Sequence, residues 1–94
     1  MHAFVDIFVD SQLKEDVMQA LSEMRNVEGL YEVRGECDIV TFVSAKDVEE
    51  FRDTLKNKIR KIPGVRTAVS SVVLRETRHV PKHLRSHTKS QIDL

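Results

Sequence analysis

Apolar and polar positions alternate at the start of the chain. Ala3, Val5, Ile7 and Val9 share one face of an extended run, and Phe4, Asp6 and Phe8 share the other. The pattern predicts a strand over residues 3–9 that is covered on both sides, with Asp6 the one charged residue on the second face. The period then changes. Asp10-Ser11 supplies N-cap chemistry, and Leu13, Val17, Ala20, Leu21 and Met24 recur at helical spacing, which predicts a helix ending near Asn26. Gly29 is expected to turn the chain after it. Residues 30–34 and 37–43 read as two strands of a hairpin, interrupted at Gly35-Glu36. Ser44-Ala45-Lys46-Asp47 reads as a capping box with Asp in place of Glu. Val48, Phe51, Leu55, Ile59 and Ile62 follow as the stripe of a second helix, which Pro63-Gly64 ends. Residues 65–76 predict a long fourth strand, made polar by Thr67, Ser70 and Ser71.

One signal is written twice. Arg25-Asn26-Val27-Glu28-Gly29-Leu30 and Arg60-Lys61-Ile62-Pro63-Gly64-Val65 each close a helix, pass a glycine and enter a β-rich run. The order β-α-β-β-α-β predicts an α+β, ferredoxin-like (split βαβ) domain over residues 1–76, followed by a tail over 77–94 with little periodic hydrophobicity. Right-handed crossovers put both helices on one sheet face. The other face, with Phe4 and Phe8, is then open to the sheet of a second subunit, as in dimeric α/β-barrel proteins.

Composition sharpens this in two ways. At 94 residues the chain is one domain, and such a domain buries only about 60–65% of its unfolded surface, so a covering partner is favoured. The net charge of zero divides unevenly: residues 1–76 carry 11 Lys/Arg against 14 Asp/Glu, while residues 77–94 carry four against one. A basic tail and an acidic body favour docking of the tail on a neighbouring subunit, and the zero sum argues against direct DNA binding by the domain as a whole. The single cysteine, Cys37, excludes an internal disulfide and fits a cytoplasmic location. The first residues lack the basic and apolar runs of a signal peptide, and no apolar stretch nears the roughly 18 residues that span a membrane.

Several segments together resemble a known family. Ala3-Phe4-Val5, Val27-Glu28-Gly29-Leu30-Tyr31-Glu32-Val33, Gly35-Glu36-Cys37-Asp38, Ala45-Lys46-Asp47, and Lys61-Ile62-Pro63-Gly64-Val65 through Val72-Val73-Leu74 are similar, in that order, to the C-terminal ligand-sensing (RAM) domain of Lrp/AsnC transcriptional regulators. The chain begins at the first sensing strand, so it resembles the stand-alone versions without a DNA-binding helix-turn-helix. The resemblance implies a non-enzymatic module that binds a small effector, commonly an amino acid, between dimers. It also implies a homodimer that assembles into an even-numbered oligomer such as an octamer and that mixes with full-length regulators.

Three places are candidates for chemistry. The resemblance assigns the Gly-x-aromatic-Asp loop to the effector pocket, here Gly35, Glu36, Cys37 and Asp38, with Cys37 in the aromatic position. Glycine there permits close backbone approach, and an acid beside free N–H groups suits an α-amino acid, the acid for its ammonium and the N–H groups for its carboxylate. The plain alternative is a hairpin turn with two surface acids. On the fourth strand, Ser70 matches one of two hydroxyl positions of the family and Ala68 replaces the other; the alternative is a half-exposed strand that tolerates Ser and Thr. In the tail, His79, His83 and His87 are spaced by four, which on a helix suits Zn²⁺ or Cu²⁺. Pro81 is tolerated only in a helix's first turn, so a helix starting there leaves His83 and His87 as the secure pair, and Lys82, Arg85 and Lys89 repel a cation; an incidental polar arm, or an anion or nucleic-acid contact, competes with a metal site. Cys37 lies between two acids, which raise a thiol's pKa, so a packed or pocket-facing cysteine is expected over a reactive one.

The expected function is therefore a small-molecule sensor, with no cofactor. A metal-binding oligomer is the second hypothesis. A small dimeric α/β-barrel enzyme is the third, but such enzymes need acid/base residues between sheet and helices, and the inward positions here are apolar.

Overall fold

The strand His2–Val9 (β1) is the axis of the fold, and its burial follows the sequence alternation. Ala3, Val5, Ile7 and Val9 are buried under the helices, while His2, Phe4, Asp6 and Phe8 face the other way. The computed structural model describes residues 1–78. After β1 come the helix Lys14–Ser22 (α1), strands Val27–Glu32 (β2) and Ile39–Ser44 (β3), the helix Val48–Asp53 (α2) and the strand Val65–Val72 (β4). The four strands form one antiparallel sheet in the order β2-β3-β1-β4. This is the ferredoxin-like α+β architecture that the periodicity predicts. No helix among the described residues is long and apolar enough to cross a membrane.

The core lies between the helices and one sheet face. Val17 and Leu21 of α1, with Phe51 and Ile59, meet Ala3, Val5, Ile7, Ile39 and Val43. Thr41 is the buried polar residue of the inner sheet face, and its hydroxyl donates to the Val5 carbonyl at 3.2 Å. That bond offsets a desolvation cost of about 1–3 kcal/mol.

The two glycines of the repeated signal part company. Gly64 is a true turn residue: its φ is +104°, and a Cβ there would lie 2.7 Å from Leu13 Cβ. Gly29 lies inside β2, opposite Phe42, with unexceptional φ. The first turn is made earlier, where the Val27 N–H donates to the Met24 carbonyl at 3.2 Å. That turn needs no left-handed residue, and α1 ends at Ser22 rather than near Asn26. Gly29 instead makes room for its neighbours, since a Cβ would lie 3.0 Å from the Tyr31 ring and 3.2 Å from Phe42 Cβ.

Other boundaries also move. The cap of α2 is Asp47, not Ser44: the Asp47 carboxylate accepts from the Glu50 N–H at 2.9 Å, and Glu50 accepts from the Lys46 N–H at 3.3 Å. Ser44 stays in β3, its N–H donating to the Asn26 carbonyl. Beyond Asp53 the helix widens into a π-type turn, Thr54–Lys58, and closes in a 3₁₀ turn, Ile59–Lys61. Phe51, Leu55 and Ile59 are spaced by four, and the widened turn keeps Phe51 and Ile59 on the core side, whereas Val48 is exposed at the helix start. β4 is shorter than residues 65–76 because its partner runs out: the Val73 N–H reaches the His2 carbonyl, and Leu74 beyond it is 95% exposed.

The outer sheet face is aromatic. Phe42 stacks on His2 and tilts against Phe4, each with centroids 4.9 Å apart. Phe4, Tyr31 and Val69 expose about half their surface on this face (44%, 49% and 52%). Asp6 lies there between Val40 and Val69 in the register and makes no hydrogen bond or ion pair among the described residues.

Candidate functional site

The connection from β2 to β3, residues 33–38, sits against the end of β1, and Asp38 holds it there. The Asp38 N–H donates to the Ile7 carbonyl at 3.0 Å, and the Asp38 carbonyl accepts from the Val33 N–H at 3.0 Å. Its side chain completes the clamp: Oδ2 accepts from the Val9 N–H at 2.9 Å. Oδ1 has no hydrogen-bond partner among the described residues, so one carboxylate oxygen anchors the loop and the other is unpaired there. The strands are therefore shorter at this end than the hairpin reading, and Cys37 and Asp38 belong to the loop rather than to β3.

Beside the loop is a cleft of about 530 Å³ lined by Lys14, Glu32, Val33, Arg34, Gly35, Cys37 and Asp38. Lys14 and Glu32 pair across its rim at 3.1 Å. Gly35 is not required by the fold: its φ is ordinary, and a Cβ there would meet nothing within 4 Å. The space beside it is open. Partial burial pushes the Cys37 thiol pKa up, and the carboxylates of Asp6, Asp38 and Glu36 push it further, so the thiol is protonated at neutral pH. The half-exposed cysteine is poorly activated as a nucleophile.

Of the residues singled out from sequence, Gly35, Cys37 and Asp38 line one cleft, and Glu36 between them in the chain is exposed. Ser70 does not join them. It pairs with Val5 on β4, further from the end of β1 than the Ile7–Ala68 pair, and it is exposed. Ala68 is buried in the core. His79, His83 and His87 lie outside the described residues. Among the described residues no group of three or more His, Cys, Asp or Glu is placed to hold a metal.

On the other flank of Asp38 lies a groove of about 390 Å³ lined by Phe8, Val9, Asp38, Arg66 and Thr67. Of these, only Asp38 was singled out as a site residue from sequence. Lys14, Glu32 and Arg34 were missed as well, because their meeting depends on how α1 and β2 cross. Arg66 carries one signal legible in the chain, as the charged residue directly after the Pro63-Gly64-Val65 turn.

A sequence profile of the Lrp/AsnC ligand binding domain matches residues 2–82. The chain belongs to the Lrp/AsnC ligand-binding domain family. Solved structures agree with this assignment. The Thermus thermophilus protein TTHA0845 is 29% identical, with a TM-score of 0.78, covering 83% of this chain and 98% of that one. The transcriptional regulator NMB0573 of Neisseria meningitidis, solved as an L-Met complex, is 25% identical with a TM-score of 0.79 over 88% of this chain. The feast or famine regulatory protein Rv3291c of M. tuberculosis, solved with L-methionine, is 29% identical with a TM-score of 0.70 over 85% of this chain. This Lrp/AsnC-type chain spans little more than half the length of those two regulators, 58% and 56%. A search of curated proteins finds no significant match.

Proposed function

We propose that this Lrp/AsnC-type domain is a non-enzymatic sensor that takes an amino acid at Asp38 and responds through its assembly. The single observation that carries this reading is the Asp38 clamp: a carboxylate held on one oxygen by the Val9 N–H, in a residue whose main chain is also bonded to Ile7 and Val33, beside a cleft that Gly35 leaves open. A preorganised acid takes an ammonium group without first paying to order itself. The family's ligand-binding character and the L-methionine complexes of two regulators support the same class of ligand. The buried polar residues of the described core are Thr41 and Thr54.

Assembly follows from the outer face. Phe4, Phe42, Tyr31 and Val69 form an apolar surface that pairs with its copy in a homodimer, and dimers join into an even-numbered oligomer. Mixing of this oligomer with full-length regulators is the proposed route to gene control, in the cytoplasm. Light scattering with and without each of the twenty amino acids tests the reading. An even-numbered oligomer whose size or stability changes with an amino acid supports it, and a ligand-indifferent monomer at micromolar concentration contradicts it.

A further inference from the structure

We propose that Arg66 forms the second half of this ligand site, binding the carboxylate of an α-amino acid whose ammonium group Asp38 holds. The proposal rests on the sensing function above and adds a residue and a recognition chemistry to it. Arg66 is the extra residue of a β-bulge: Thr67 pairs with Phe8 and Val65 pairs with Val9, which leaves Arg66 between them without a partner on β1. A bulge bends the strand and re-aims the side chain it carries. Here the side chain lines the groove that also holds Asp38.

The guanidinium is uncommitted. Arg66 makes no hydrogen bond or ion pair among the described residues, whereas nearby Arg60 is fixed by donating to the Ala68 carbonyl at 3.0 Å. Asp38 and Arg66 line one cavity, yet no ion pair closes between them. Opposite charges that line one groove without pairing match a zwitterion, each end meeting the opposite charge. A groove of about 390 Å³ is near the lower end of small-molecule pockets, so it suits a single amino acid rather than a nucleotide or peptide. The loop N–H groups are the competing carboxylate binders. They are neutral donors, and a charge-assisted, two-pronged guanidinium contact is roughly twice as strong.

Calorimetry on the full chain tests this. The twenty L-amino acids are screened first, and the tightest binder is then compared with its carboxamide on wild type, Arg66→Gln and Arg66→Lys. Wild type is expected to lose about ten-fold or more when the carboxylate becomes an amide, and Arg66→Gln to lose as much on the free acid while no longer telling acid from amide. Arg66→Lys should keep part of the discrimination. Arg66 is exposed and unpaired, so the melting temperature without ligand should hold in both variants. An amino acid that binds Arg66→Gln as tightly as wild type overturns the role of Arg66 and leaves the sensing function standing. Absence of binding by all twenty overturns both.

Discussion

The Val9 N–H donates to the Asp38 carboxylate at 2.9 Å, across 29 residues of chain. With the bond from the Asp38 N–H to the Ile7 carbonyl, it ties the loop to the central strand. Asp38→Ala should lower stability by about 1.5–3 kcal/mol, the usual loss for a hydrogen bond to a charged group, read from the urea midpoint. Asp38→Asn keeps an acceptor for Val9 and should cost less, yet it removes the charge that holds an ammonium group. An Asn variant as destabilised as the Ala variant would show that the charge, not the bond, anchors the loop.

Gly64 and Gly29 should respond differently to the same substitution. Gly64→Ala forces a left-handed backbone on alanine and drives its Cβ to 2.7 Å from Leu13, a cost of about 1–3 kcal/mol. Gly29→Ala has ordinary backbone angles, and the half-exposed Tyr31 ring can move aside. Its urea midpoint should therefore fall clearly less. Equal losses would mean that Phe42 and Tyr31 cannot yield.

Much of this fold is legible in the chain, and the exceptions share a cause. The alternation of Ala3 to Val9 and the stripe from Phe51 to Ile59 give the sheet face and the helix directly, because burial repeats with the period of the element. Gly29, Ser44 and the end of β4 are different. Their roles are set by strand pairing, which fixes where β2 begins and where β4 loses its partner, and pairing is not local. The site divides in the same way. Gly35, Cys37 and Asp38 fall within four consecutive residues, so a motif exposes them. Arg66 comes beside Asp38 through a bulge, which register reveals and the sequence marks only by a charged residue after the Pro63-Gly64-Val65 turn, and Ser70 lies away from the Asp38 cleft because the pairing sets it beside Val5.

The Cys37 thiol should alkylate slowly. Its pKa is raised by partial burial first and by Asp6, Asp38 and Glu36 next, so less thiolate is present at neutral pH than in free cysteine. Iodoacetamide labelling should lag behind free cysteine in the same buffer. Asp6→Asn removes one of the negative neighbours and should lower the titration midpoint of thiolate absorbance. The stability linkage has a definite sign: as pH rises, the unfolded state loses its thiol proton first, so the folded state loses stability through the range above the ordinary thiol value. Labelling as fast as free cysteine at neutral pH would contradict the raised value.

The outer sheet face should carry the dimer. Phe4→Asp places a charge between Phe42 and Ser71 on this face, and light scattering should then move toward the monomer, while the circular dichroism of the folded subunit is kept. An unchanged oligomer would place the interface elsewhere.

Thermal melting with each of the twenty amino acids tests the sensing function most directly. A ligand at ten times its dissociation constant adds about 1.4 kcal/mol, which is several degrees for a domain of this size. At least one amino acid at millimolar concentration should raise the melting temperature of wild type by that margin and leave Asp38→Asn unmoved. No shift with any of the twenty, or an equal shift in Asp38→Asn, would contradict an amino-acid site at Asp38.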